Sequence, residues 1–156
     1  MAGRAGLRTV VLAVDGSPHS RRAAAFAARL APPPGGGRVT VVSVVEPLRA
    51  PSMALLPASI RSRLIGAAAE LERARLNAAR RWTEAAVRTM EKGGWRAQAS
   101  VRTGVPLAEI LRAVKEVRAD LLVLGARGTG GLARVLLGSV ADGALRLAPV
   151  PVLIVK

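Results

Sequence analysis

A glycine-rich segment in the last third of the chain carries residue types that can bind phosphate. Gly125, Gly128 and the pair Gly138-Ser139 are separated by two and nine residues. Glycine leaves space for a ligand beside the backbone and leaves amide N–H groups facing it. Gly138 and Ser139 also open a predicted helix, whose unpaired N–H groups and positive dipole end favour an anion. The Ser139 hydroxyl can donate a further hydrogen bond, so the segment predicts a site for phosphate or ribose.

The surroundings of this segment leave one structural alternative open. Arg127 and Arg134 make the segment more positive, which suits phosphate. Ser139 can instead cap its helix, with Asp142 completing a capping box. A P-loop is excluded, because the chain has no Gly-x-x-x-x-Gly-Lys-Ser/Thr segment.

A carboxylate follows the first apolar run of the chain. Asp15 comes directly after Val10–Val14 and precedes Gly16-Ser17-Pro18. A carboxylate at the end of a buried strand is unfavourable in a core but can accept hydrogen bonds from ligand hydroxyl or amino groups. Alternatively, Asp15 forms a turn with Ser17 and helps to start the first helix. Both interpretations stay open at this stage.

These residues must be positioned by alternating strands and helices. Hydrophobic periodicity predicts strands at Arg8–Val14, Val39–Val45, Trp95–Arg102, Leu121–Leu124 and Val152–Val155. It predicts helices from Pro18 to about Leu30, from Ser59 to Lys92, from Gly104-Pro106 to about Val117, and from Ser139 to Leu147. Such alternation predicts a doubly wound α/β fold, a parallel sheet with helices on both faces. Ligands of such folds lie at the carboxyl ends of the central strands, which here carry Asp15 and the glycines.

Three expectations concern individual elements. Apolar and polar residues alternate along Trp95–Arg102, which predicts an edge strand. The inner face of the long helix is predicted to be Leu71, Ala74, Ala78, Trp82, Ala85 and Met90. Its arginines are expected to be solvated and paired with Glu70, Glu72 and Glu84, and His19 is expected to be solvated on the first helix.

Composition narrows the class of protein. The 156 residues contain no Cys and one His, which excludes disulfides, thiolate catalysis and multi-His metal sites. The apolar runs of about six residues are too short to cross a bilayer, so we expect a mature cytoplasmic protein and no membrane contact. The net charge of +14 is spread along the chain, and only 2% of the residues are aromatic. We therefore do not expect nucleic acid as the partner.

The motifs together are similar to those of one known family. The spacing Gly125-x2-Gly128-x9-Gly138-Ser139 resembles the nucleotide-binding signature of the universal stress protein family, in its ATP-binding branch. Further agreement lies in Val14–Ser17, Val41–Glu46 and Ala148–Val155. The resemblance covers residues 1–156 as one domain. It implies a five-stranded parallel sheet of order 3-2-1-4-5 and a cytoplasmic homodimer formed through the last strands, at Val152, Leu153, Ile154 and Val155.

The resemblance also implies roles for individual residues. Asp15 corresponds to the aspartate beside the base and ribose, and the Val44 backbone to the group that recognises the adenine edge. The glycines match the ribose and phosphate turn and the start of the phosphate-binding helix. The residues expected to bind the cofactor, ATP with any Mg²⁺ that its phosphates hold, are Ala13, Val14, Asp15, Val44, Leu124, Gly125, Arg127, Gly128, Gly138, Ser139 and Val140.

The expected function is an ATP-binding regulatory module of the stress response. We expect at most slow ATP hydrolysis, because the loop has no lysine to hold the phosphates and the sequence shows no obvious base. The alternatives are an interaction scaffold that keeps the fold but binds no nucleotide and, after it, a nucleic-acid binder driven by charge.

Overall fold

A computed structural model describes residues 7–48, 56–128 and 137–156 as alternating strands and helices. The strands are β1 (Thr9–Ala13), β2 (Arg38–Val45), β3 (Arg96–Thr103), β4 (Leu121–Gly125) and β5 (Val152–Val155). The helices are α1 (Pro18–Arg29), α2 (Ala58–Lys92), α3 (Pro106–Glu116) and α4 (Ser139–Leu147). The element order and the boundaries confirm the sequence prediction to within two residues.

The strands form one parallel sheet of order β3-β2-β1-β4-β5. This order confirms the predicted fold and places β3 at an edge. The strand order reverses between β1 and β4. The helices that follow these two strands lie on opposite faces, since α1 packs with α2 on one side and α4 with α3 on the other. A cleft lies above the sheet between the starts of these two helices.

The central strand β1 is buried on both faces of the sheet. Val10 and Leu12 point to the side of α1 and α2, whereas Val11 and Ala13 point to the side of α3 and α4. All are 8% exposed or less. A strand covered on both faces needs a continuous apolar run rather than an alternating one, which explains the sequence Thr-Val-Val-Leu-Ala.

Helix α1 begins and ends where turn chemistry predicts. The Ser17 side chain accepts a hydrogen bond from the Ser20 amide at 3.1 Å, and Pro18 occupies the first turn. Such a cap satisfies one of the donors that a helix start leaves unpaired. The helix ends at Arg29, shortly before the proline and glycine run 32–37.

The predicted inner face of α2 is wrong. Its buried residues are Ala79, Thr83, Ala86 and Met90. Of the predicted residues only Met90 is buried, while Leu71 is 51% and Trp82 38% exposed. No residue between 58 and 78 is buried, so only the second half of the helix packs firmly on the fold.

The alanines of α2 explain why its inner face was predicted wrongly. They occupy two neighbouring faces of the helix, so periodicity alone could not show which of the two faces is buried. Trp82 nevertheless covers a glycine, since a Cβ on Gly16 would lie 2.2 Å from its ring. Trp95, the other tryptophan, is in the core, and its Nε1 donates to the Leu30 carbonyl at 2.8 Å.

No helix within the described parts of the chain combines the length and the apolar character needed to cross a membrane.

Candidate functional site

The residues predicted to bind a cofactor come together around one cleft of about 1160 Å³ at the carboxyl end of the sheet. It lies where the strand order reverses. Every predicted residue lines it: Ala13, Val14, Asp15, Val44, Leu124, Gly125, Arg127, Gly128, Gly138, Ser139 and Val140. Their placement shows a common site, whereas their contacts with a ligand stay predictions.

Asp15 and Ser17 organise the loop after β1. An Asp15 side-chain oxygen, Oδ1, accepts a hydrogen bond from the Ser17 amide at 3.0 Å, which confirms the predicted turn. The Ser17 hydroxyl donates to the Arg127 carbonyl at 3.2 Å. The loops after β1 and β4 are thereby held together, with the Asp15 carboxylate at the wall of the cleft between them.

Two glycines allow the loop after β4 to approach β1 and α1 closely. A Cβ on Gly125 would lie 2.7 Å from the carbonyl carbon of His19 and 2.8 Å from the Ser20 amide. A Cβ on Gly128 would lie 2.6 Å from Oδ2 of Asp15. At Gly125 these close atoms are backbone, so a side chain there would displace α1; at Gly128 the close atom is the end of a side chain, so a side chain there would displace the Asp15 carboxylate.

The start of α4 forms the third side of the cleft. Gly138 is the N-cap residue, and as a glycine it has no side chain with which to cap the helix. The interpretation of Ser139 as the cap is therefore wrong: it is the first helical residue, while Asp142 pairs with Arg146 at 3.2 Å. The Gly138 amide donates to the Ala126 carbonyl at 2.8 Å, which fixes the helix start beside the end of β4. A helix N-terminus that faces a cleft is suited to an anion.

The end of β2 supplies a backbone edge. Its pairing with β1 ends at Val42, whose carbonyl accepts a hydrogen bond from the Val14 amide at 2.8 Å, but its pairing with β3 continues to Val45. Backbone groups alternate in direction along a strand, so those of Val44 point to the same side as those of Val42. The Val44 backbone groups therefore project past the end of β1 toward the cleft, where they can form hydrogen bonds with the edge of a planar base.

Sequence analysis missed further residues that line the cleft. Most come from helices, among them Pro18, His19 and Ser20 of α1, Arg75 of α2, Pro106 and Ile110 of α3, and Ala141 and Asp142 of α4; Val42, Glu46 and Leu137 complete them. Arg75 was expected to be part of a solvated, ion-paired face, but no ion pair of the described residues includes it. The spacing Asp15-x3-His19 was the available signal for the histidine, because a helix start after a strand end remains close to it.

His19 lines the cleft and is partly exposed to solvent. Burial lowers its pKa below 6.5, and the charges of Arg22 and Arg127 lower it further, whereas Asp15 acts in the opposite direction. The imidazole is therefore predominantly neutral at pH 7. Arg134, the other predicted basic residue, lies outside the described residues. In the described ranges no group of three or more His, Cys, Asp or Glu side chains is arranged to hold a metal ion.

The sheet order and the cleft define a doubly wound α/β protein with its ligand site at the reversal of strand order. Comparison of sequences makes the assignment more specific. The sequence model of the universal stress protein family matches residues 6–156, and the chain belongs to that family.

Individual relatives agree with this assignment. A universal stress protein from Thermus aquaticus, encoded in the QAH/OAS sulfhydrylase 3′ region, is 34% identical over 149 residues, or 96% of this chain and 98% of that protein. The universal stress protein MJ0531 of Methanocaldococcus jannaschii is 42% identical over 66 residues, which are 42% of this chain and only 39% of that protein.

Solved structures share the fold. The protein MJ0577 superposes with a TM-score of 0.79 at 19% identity, covering 96% of each chain. A universal stress protein in complex with cAMP has a TM-score of 0.64 at 25% identity, covering 97% of this chain and 98% of that one. A family member from Arabidopsis thaliana with AMP bound has a TM-score of 0.58 at 20% identity, covering 96% of this chain and 91% of that one.

Proposed function

We propose that this protein is a single-domain, cytoplasmic module that binds ATP in the cleft and acts through its nucleotide occupancy in the response to stress. The observation that carries the proposal is the close approach of Gly128 to Asp15, where a Cβ would lie 2.6 Å from the carboxylate. The Asp15 carboxylate, the Gly128 backbone and the start of α4 at Gly138 therefore surround one cavity. The complexes of relatives with cAMP and AMP support an adenine nucleotide as the ligand class.

The proposal assigns a part of the ligand to each group of residues that lines the cleft. The Val44 backbone would bind the adenine edge, Asp15 the ribose hydroxyls, and Gly138, Ser139 and Val140 the phosphates. Arg127 adds positive charge on the phosphate side. Any Mg²⁺ would be held mainly by the phosphates. Hydrolysis should be slow or absent, because the chain has no lysine between Lys115 and Lys156 to hold the transferred group.

Calorimetry tests the site. Titration of ATP, ADP, AMP and cAMP into the purified protein should show one binding site, and Asp15→Ala and Gly128→Glu should each abolish the binding. Asp15→Ala removes the carboxylate. Gly128→Glu places a side chain in the space beside that carboxylate. Gly66→Ala is the control, since a Cβ there meets nothing within 4 Å. Circular dichroism must show that all variants stay folded.

Unchanged affinity in both site variants would overturn the site assignment. Absence of binding, together with no nucleotide in a mass spectrum of the denatured purified protein, would favour the interaction scaffold instead. Persistent binding to duplex DNA at about 200–300 mM salt would favour the nucleic-acid alternative, because purely electrostatic binding weakens steeply in that range.

The proposal includes a homodimer formed through β5. This strand is at the edge of the sheet, with β4 as its neighbour, and Val152, Leu153, Ile154 and Val155 are half-buried. An open strand edge carries backbone groups that can pair with a second copy. Sedimentation velocity should give the mass of a dimer, and a monomer at all concentrations would contradict this part of the proposal.

A further inference from the structure

A second pocket lies at the opposite end of the sheet. Arg8, Arg38 and Arg96 line it together with Gly35 and Gly36, and its volume is about 200 Å³. Arg38 and Arg96 are the first residues of β2 and β3, and Arg8 immediately precedes β1. We propose that this pocket binds a phosphoryl group, as inorganic phosphate or as the ester of a small molecule. The proposal is independent of the nucleotide cleft.

The backbone holds the arginines next to one another. The Arg38 amide donates to the Arg8 carbonyl at 2.8 Å, and the Arg96 amide donates to the Gly37 carbonyl at 3.0 Å. Arg38 and Arg96 are register partners in neighbouring strands. Side chains at paired positions leave the sheet on the same face, so two guanidinium groups start side by side. Like charges in such positions destabilise a sheet unless another group offsets them.

The glycine turn brings the main chain against these side chains. Gly35 and Gly36 have φ angles of 86° and 91°, a region that favours glycine. The Gly36 amide donates to the Pro33 carbonyl at 2.9 Å, which closes the turn. A Cβ on Gly36 would lie 3.8 Å from Nε and 3.9 Å from Cζ of Arg96, so the guanidinium lies over the turn. The turn thus forms one wall of the pocket.

The three arginines of the pocket are exposed to solvent. Asp120 is nearby, and its Oδ2 accepts hydrogen bonds from the backbone amides of Arg8 and Thr9 at 3.0 and 2.9 Å. The pocket therefore brings three guanidinium groups to one end of the sheet, an arrangement that suits an anion.

Size and donor chemistry select the ligand. A guanidinium offers paired N–H donors that match the oxygens of a phosphate, and adjacent arginines can share one such group. The volume of about 200 Å³ is below the roughly 300–1,000 Å³ of pockets that enclose drug-sized molecules. A phosphoryl group fits this description better than a whole nucleotide.

Calorimetry with inorganic phosphate and, separately, glycerol 3-phosphate tests the proposal. Both titrations use the Gly128→Glu variant, so that the nucleotide cleft does not contribute. We expect one site, with the affinity lowered at least about tenfold by Arg96→Gln and by Arg38→Gln, because each removes a charge-assisted pair. Arg88→Gln, at an exposed position of α2, is the matched control and should leave the affinity unchanged. Tighter binding of the ester or of free phosphate identifies the source of the group.

Thermal unfolding distinguishes a binding role from a structural one. If the arginines bind an anion, phosphate should raise the Tm of the parent protein but not the Tm of the Arg96→Gln or Arg38→Gln variants. The proposal is overturned if no binding tighter than about 10 mM is found. Equal weakening by Arg88→Gln would overturn it as well, since the effect would then come from net charge alone.

Discussion

The two ends of the parallel sheet differ in how their polar groups are used. At the carboxyl end, Asp15 and the start of α4 border a cavity of about 1160 Å³ that carboxylates and arginines share. At the amino end, the Asp120 carboxylate binds the main chain, and the pocket of about 200 Å³ beside it has only arginines as charged residues.

The difference follows from the connections between strands. Helix α1 packs on one face of the sheet and α4 on the other, so the carboxyl end has a cleft between the starts of these two helices. At the amino end the loop before β2 turns tightly, which leaves space for one small group. In the two proposals, one sheet carries two anion sites of different size and composition.

The largest effect on the free energy of unfolding is expected when a glycine is replaced by alanine at each end of the sheet. Gly125→Ala places a Cβ 2.7 Å from backbone atoms of α1, which cannot move without shifting the helix. We expect the free energy of unfolding to fall by about 2–3 kcal/mol in urea denaturation. Gly36→Ala at the amino end has space and only an unfavourable φ of 91°, so a smaller loss of about 1 kcal/mol is expected. If Gly125→Ala and Gly36→Ala lowered the free energy of unfolding equally, the two ends would not differ in how tightly the backbone is packed around these glycines.

An intermediate effect is expected from removing a carboxylate at each end. Asp120 accepts hydrogen bonds from the amides of Arg8 and Thr9 at the start of the central strand, whereas Asp15 accepts one from the Ser17 amide within its own turn. Asp120→Ala should lower the free energy of unfolding by about 2 kcal/mol, and Asp15→Ala by about 1 kcal/mol. Urea denaturation of both variants measures the two values. A larger loss for Asp15→Ala would show that this carboxylate mainly supports the fold rather than a ligand.

The smallest effect concerns the histidine at the carboxyl end. His19 is the only histidine of the chain, so its ring protons can be followed without ambiguity in an NMR titration. Burial and the neighbouring arginines should place the midpoint below 6.5. Because the folded pKa is lowered, the stability contributed by neutral His19 is present above pH 6.5 and is lost as the pH falls through the folded pKa.

Variants at the two ends provide the comparison for this titration. Asp15→Ala should lower the midpoint further, since the Asp15 charge opposes the other effects, while Asp120→Ala should leave it unchanged. A midpoint at or above 6.5 in the parent protein would show that the ring is solvated.

The outline of the fold was predictable from the sequence because its signals are local. Continuous apolar runs predicted the buried strands, alternation predicted the edge strand β3, and Ser17-Pro18 predicted the start of α1. The burial of α2 was not predictable, because its alanines lie on more than one face and Leu71 belongs to a half of the helix without buried residues. Packing partners distant in sequence decide such a case.

The candidate site divides in the same way. The glycine spacing and Asp15 were visible because each follows directly from a strand end. His19 and Arg75 were missed, since a residue on a helix enters a cleft only through the angle at which that helix packs. The local sequence suggested that Ser139 caps the helix. In the structure Gly138 occupies the N-cap position, and Ser139 is the first residue of the helix.

The sequence by itself determined the order of the elements, the family and the positions where backbone can approach a ligand, because periodicity, turn residues and glycine spacing act over short distances. Only the tertiary structure decided that Gly128 meets Asp15 and that Arg8, Arg38 and Arg96 share a pocket. Strand register and helix packing bring these residues together, and both depend on the balance of contacts over the whole core.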